Sequence, residues 1–157
     1  MLNKIGVANK DLVLSRFFDE KTLVKPKAIL ECYEEIPCNP CSTSCPFDAI
    51  HIGENINKKP ELDVDKCVGC GICITSCPGL AITVVSIKGE KAIFKIPYEM
   101  NPKPVKGDIV SGVNRHGEVI CDVEVVRVDG HQRHDRTVIL DVAVPLIYLH
   151  DFITVRV

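Results

Sequence analysis

Strict alternation of apolar and polar residues dominates the last third of the chain. Glu118 to Val128 (EVICDVEVVRV) sets Val119, Cys121, Val123 and Val125 on one face, and Thr137 to Val144 (TVILDVAV) does the same with Val138, Leu140, Val142 and Val144. Ile153 to Val157 repeats the alternation and Asp108 to Val113 adds a shorter run. A period of two predicts half-buried antiparallel strands, and Asn114 to Gly117 (NRHG) supplies a hairpin turn. Pro145 to Asp151 predicts a short helix starting at its proline. Residues 108–157 thus read as a small all-β barrel or sandwich, too small to hold much stability alone.

Upstream the apolar runs are shorter. Ala28 to Cys32, Ala49 to Ile52 and Leu62 to Asp65 predict brief strands. Ala81 to Ile87 and Lys91 to Ile96 flank Lys88-Gly89-Glu90 and predict a hairpin. Pro97 to Pro104 then interrupts regular structure. Residues 1–27 are mixed and charged, with Val13 to Phe18 (VLSRFF) as their only apolar cluster. The chain divides into a docking arm at 1–27, which packs on the rest or on a partner, a unit at 28–96, a Pro-rich linker at 97–107 and the β unit at 108–157. The expected class is α+β.

Cysteine changes this picture. Shifted by 32 residues, Cys38 to Ile50 (CNPCSTSCPFDAI) lies on Cys70 to Ile82 (CGICITSCPGLAI). Three Cys, a Pro, a Thr-Ser pair and an Ala-Ile pair coincide. Cys67 completes the run Cys67-x-x-Cys70-x-x-Cys73-x-x-x-Cys77-Pro78, the bacterial-type spacing for cubane iron–sulfur clusters, in which the fourth Cys serves the other cluster. Two residues between thiols bend the chain tightly enough for adjacent corners of one small cube, and Gly71 lets backbone approach an inorganic sulfide. A zinc site pairs two C-x-x-C units around one ion and would leave half of these ligands idle. Short helices are expected after Cys41 and Cys73, with N–H groups directed at cluster sulfurs.

The first copy departs from the pattern. The counterpart of Cys67 is Glu35, and the nearest upstream thiol is Cys32, which gives Cys32-x5-Cys38-x2-Cys41-x3-Cys45-Pro46. One reading brings Cys32 to the cube on a longer loop. The other leaves it as a structural cysteine at a strand end, with three protein ligands and a labile or three-iron cluster. With ligation, the crossed rule assigns Cys32, Cys38, Cys41 and Cys77 to one 4Fe–4S cluster and Cys67, Cys70, Cys73 and Cys45 to a second. Cys121, in a strand-like run, is expected to pack in the core.

Charge and composition exclude several classes. Nine cysteines without a signal-peptide pattern point to a reducing compartment, expected to be the cytoplasm, and to metal in place of disulfides. No apolar run reaches membrane-spanning length. A net charge of −2, no Trp and no basic stripe argue against nucleic acid as a partner. Gly-rich dinucleotide fingerprint, P-loop and nucleophile elbow are all missing, so neither flavin nor nucleotide is expected in this chain, and no catalytic residue is assigned.

Other polar features carry two readings each. His131 to Arg136 (HQRHDR) would bind a metal or an anion, or form a solvated hairpin tip, the expected case. His51 would shuttle a proton or serve as a satisfied structural His. Glu34 and Glu35 would lower the potential of a nearby cluster, or face water. Arg115 and His116 would meet an acidic partner, or sit on an exposed turn.

Residues 28–96 resemble a bacterial two-cluster ferredoxin. Glu31 to Ile50 (ECYEEIPCNPCSTSCPFDAI) more narrowly resembles the small iron–sulfur subunits of flavin-dependent proline and hydroxyproline dehydrogenase complexes, and the C-terminal β region is more weakly similar to theirs. The broader resemblance implies ligand roles for Cys38, Cys41, Cys45, Cys67, Cys70, Cys73 and Cys77; only the narrower one implies a role for Cys32. Together they imply a non-catalytic electron-transfer subunit, passing single electrons between an FAD-containing dehydrogenase subunit and a further acceptor, with other iron–sulfur subunits as possible neighbours. The alternative is a free, diffusible ferredoxin stabilised by its C-terminal part. About ninety residues outside the cluster unit and only mild acidity tip the expectation to the subunit.

Overall fold

Alternation in the C-terminal third does build strands, but they join the cluster unit instead of closing on themselves. The computed structural model describes residues 2–157. Short helices α1 (Lys10–Leu14) and α2 (Glu20–Leu23) precede β1 (Lys27–Leu30), followed by α3 (Pro40–Thr43), β2 (Ile50–His51), β3 (Glu61–Leu62) and α4 (Ile72–Ser76). Then come β4 (Ile82–Lys88), β5 (Lys91–Tyr98), β6 (Ile109–Asn114), β7 (Val119–Asp129), β8 (Val138–Pro145) and β9 (Phe152–Arg156). Seven strands form one sheet in the order β1-β4-β5-β8-β7-β6-β9, while β2 and β3 pair separately.

The sheet crosses the expected linker boundary. β5 continues through Pro97 and Tyr98 and pairs antiparallel with β8 from Lys91↔Pro145 to Tyr98↔Val138. Burying the Tyr98 ring beside Val138 and Leu140 gives that extension its apolar support. Two cores result. Ala92, Phe94, Ile96 and Tyr98 of β5 face one core with Leu140, Val142 and Phe152. Ala28, Leu30, Ile82, Val84 and Ile139 face the other, which holds Cys41, Cys67 and Cys73. A sheet packed on both faces explains why β8 is buried at every position from Val138 to Val142, where alternation alone predicts a wet side.

The expected apolar face of β7 holds only in part. Val123 and Val125 are buried, Cys121 is half-buried and Val119 is 54% exposed. Register shifts between Gly112 and Val113 and between Val125 and Arg127 turn the strand and re-aim its ends. Pro145 precedes a single 3-10 turn at Leu146–Tyr148. The His131–Arg136 loop is exposed except for His134, whose buried Nδ1 has no hydrogen-bond partner among the described residues and faces Asp129 Oδ1 at 3.9 Å.

The N-terminal segment packs on the sheet. Leu23 lies within the first core, Phe17 and Phe18 pack against it, and the Phe17 ring meets His150 edge-on at 4.9 Å. Among the described residues no helix is long and apolar enough to cross a membrane.

Candidate metal centres

The 32-residue repeat is also a repeat of geometry. Asp48 and Leu80 both adopt left-handed backbone, at φ 50° and 51°. A β-branched or bulky residue rarely enters that region, so Leu80 marks a turn that its surroundings impose. The chain then doubles back so that the Ala49 N–H faces Cys45 Sγ at 3.4 Å and the Ala81 N–H faces Cys77 Sγ at 3.5 Å. The next carbonyls match too. Ala49 O accepts from Asp63 N–H at 2.8 Å, and Ala81 O accepts from Glu31 N–H at 2.9 Å. Ile50 pairs with Leu62 in β2–β3 as Ile82 pairs with Leu30 in β4–β1.

Two cavities lie between the halves. The first is lined by Cys32, Cys38, Cys41 and Cys77. The second is lined by Cys45, Cys67, Cys70 and Cys73. Cys45 and Cys77, the last thiols of the two repeats, therefore sit across from their own copies. Each follows a short helix and precedes the left-handed turn that returns the chain to the sheet, so it stands where the chain passes the neighbouring loop.

The donor chemistry fits an iron–sulfur cluster. Every residue lining the second cavity other than cysteine is Gly, Ala, Pro or a larger apolar residue. Soft thiolates in an apolar wall select soft metal centres. Backbone N–H groups at Cys45, Cys77 and Cys67, the last from Ala28 at 3.4 Å, hydrogen-bond sulfur as cluster ligands require. Among the described residues no three His, Cys, Asp or Glu converge tightly enough for a single ion. All nine cysteines are free thiols.

Without metal Cys32, Cys41 and Cys73 resist ionisation. Burial pushes Cys73 up to about 12, and the neighbouring Cys67, Cys70 and Cys45 push the same way. Burial, then neighbouring thiols, raises Cys41. Cys32 is raised by burial first and then by Cys77, against the opposing charge of Arg16. Four mutually repelling sulfurs in a low-dielectric pocket call for a cationic core to discharge them.

Flanking residues sort differently from expectation. Glu34 lines the first cavity, whereas Glu35 turns outward to an exposed pair with Lys58 at 3.4 Å. His51 is exposed and lines neither cavity. Arg115 is no free turn residue. It grips Glu31 with two N–H groups, one of them Nε at 2.8 Å, and also donates to His150 O at 2.7 Å. Cys121 lies away from both cavities, where its Sγ crowds Gly112. Gly71 has φ 84° at the start of α4, so its backbone conformation as well as its missing side chain is used.

Sequence reasoning missed Arg16 and Lys27. Arg16 donates from Nη1 to Pro60 O and from Nη2 to Cys32 O, both at 2.8 Å. Lys27 is buried, and its Nζ donates to Val64 O and Cys67 O, both at 2.7 Å. The available signal was an arginine inside the apolar run VLSRFF and a lysine opening a buried strand, since such charges go inside only with partners.

Comparison with known families bears on residues 36–95, which match the model of the 4Fe-4S dicluster domain. That match supports a ferredoxin-like iron–sulfur unit over this part of the chain. The match begins beyond Cys32 and ends within β5, so it covers neither the N-terminal helices nor β6 to β9. No curated protein and no solved structure matches the chain.

Proposed function

We propose that the chain is an electron-transfer subunit that carries two 4Fe–4S clusters, with Cys32, Cys38, Cys41 and Cys77 as ligands of the first and Cys45, Cys67, Cys70 and Cys73 as ligands of the second. The observation that carries this reading is the exchange of Cys45 and Cys77 between the two cysteine-lined cavities. When bound, each cluster accepts and releases one electron at a time with no proton chemistry at the metal. The chain's own residues do the rest. Apolar walls of Ala28, Ile50, Leu62 and Val84 exclude water, and the N–H groups of Ala28, Ala49 and Ala81 favour negative sulfur.

The partner in this proposal is an FAD-containing dehydrogenase subunit, with a further acceptor downstream, in a reducing compartment such as the cytoplasm. Its support is the rim of the second cavity, where Phe47, Val68 and Ile72 are exposed around the exposed Cys70. The resemblance of Glu31 to Ile50 to the small subunits of proline and hydroxyproline dehydrogenase complexes suggests the class. A free ferredoxin has one observation in its favour: β6 to β9 bury most of their apolar residues in a core shared with β5, although Ile109 and Val119 stay exposed.

Anaerobic affinity purification of the tagged chain from its native host tests the partner. A flavoprotein recovered in near-stoichiometric amount supports the subunit, and a brown, reducible chain emerging alone supports the free carrier. Ligand sets are tested by Cys70→Ser and Cys45→Ser, which should damage the same cluster spectroscopically; damage to two different clusters would sink the crossed assignment.

A further inference from the structure

The two halves hold their ligand loops with cations, but the cations come from different places. In the second half Lys27, from β1, bonds the carbonyls of Val64 and Cys67. Under the 32-residue repeat, Val64 corresponds to Cys32 and Lys27 to Lys59. Lys59 would therefore be the residue to clamp the carbonyl of Cys32, yet it is exposed. Arg16 makes that bond instead and spans to Pro60 O with its other arm. It reaches there because Val13 anchors α1, Phe17 rests on His150 and the Tyr33 ring lies 6.0 Å beneath the guanidinium.

Resting on the two-cluster reading, we propose that Arg16 is a positioning residue of the first cluster site, clamping the enlarged loop so that Cys32 ligates and raising the reduction potential of that cluster selectively. The arm at 10–18 is then part of the site. A planar guanidinium suits the task, because the two carbonyls lie on different segments and a forked donor bridges both. A fixed positive charge beside one cluster stabilises the extra electron there. Lys27 serves the second loop in the same way, so each ligand loop is held by its own, separately mutable cation.

The test compares Arg16→Gln, Arg16→Lys, Arg16→Ala and Lys59→Ala in the full chain, purified anaerobically. Iron and sulfide are assayed, and each cluster is followed by redox titration monitored by electron paramagnetic resonance. Cys77→Ser and Cys45→Ser identify which signal belongs to which site. Arg16→Gln should keep both clusters and shift only the signal marked by Cys77 to lower potential. Arg16→Lys should return most of that shift, and Arg16→Ala should lose iron from the same cluster, leaving a three-iron signal. Lys59→Ala should change nothing. Were Arg16→Gln to move both signals equally, or neither, in a chain with full iron, the proposal would be overturned while the two-cluster reading stood. A wild-type chain holding one cluster's iron would overturn both.

Discussion

Glu31 and Arg115 are 84 residues apart in sequence yet form a forked ion pair, with side chains only 9% and 12% exposed. Glu31 adjoins Cys32 at the end of β1, and Arg115 sits on the β6–β7 turn, so the pair ties the C-terminal strands to the first cysteine loop. Tyr33 adds its hydroxyl to Glu31 at 3.2 Å, and burial followed by that carboxylate keeps the phenol protonated well above its usual range. The C-terminal strands thus brace the cluster region as well as extending the sheet.

Arg115→Ala should cost about 3–5 kcal/mol, because it leaves the Glu31 carboxylate buried without its counter-charge. Adding Glu31→Gln should recover part of the loss. Anaerobic denaturant titration of the single and double variants checks this. A single variant within about 0.5 kcal/mol of wild type, the range of ordinary surface changes, would show that the pair does not hold the two regions together.

Gly69→Ala should disrupt the Cys67–Cys73 loop. Gly69 has φ 69°, and a Cβ there would stand 2.5 Å from Pro26 Cβ and 2.6 Å from its carbonyl oxygen. Backbone strain and collision act together, so the cost should exceed about 1 kcal/mol, and iron should be lost from the second site first. Iron assay and thermal melting read both effects.

Cys32→Ala separates the two readings of that thiol. As a ligand, its removal should convert the first cluster to a labile or three-iron form and leave the second unchanged. Unaltered iron content with both reduced-cluster signals intact would return Cys32 to a structural role.

The cluster-free chain should weaken at alkaline pH. Burial holds the Cys73 proton up to about 12, against 9.0 for an ordinary thiol, and Cys32 and Cys41 shift in the same direction. Between about pH 9 and 12 the folded chain keeps protons that the unfolded chain has released. Stability from the neutral thiols is therefore complete below pH 9 and declines through that interval. Denaturant midpoints of the chelated chain at stepped pH should fall in this order, while the cluster-loaded chain, its thiolates already discharged by metal, should lack this decline.

Much of the metal site was legible in sequence because it is local. Thiols two and three residues apart, a proline after the last and a repeat offset of 32 are covalent facts, and short-range geometry follows from them. The strands were legible for the same reason, since alternation reports which side of each is apolar. What lies across a strand is not written in its period. Val119 fits the apolar pattern yet is exposed, and Asp141 falls on the polar side of its strand yet is buried, held by Lys95 at 2.9 Å.

By itself the sequence determined the thiol spacing, the repeat and the strand faces, all set within a few bonds of each residue. Only the tertiary structure decided that β5 pairs with β8, that Arg115 meets Glu31, and that Arg16 stands where Lys59 would. Those relationships join residues far apart along the chain. They depend on which buried surfaces find each other and which buried charges find a partner, and no window of neighbouring residues encodes either.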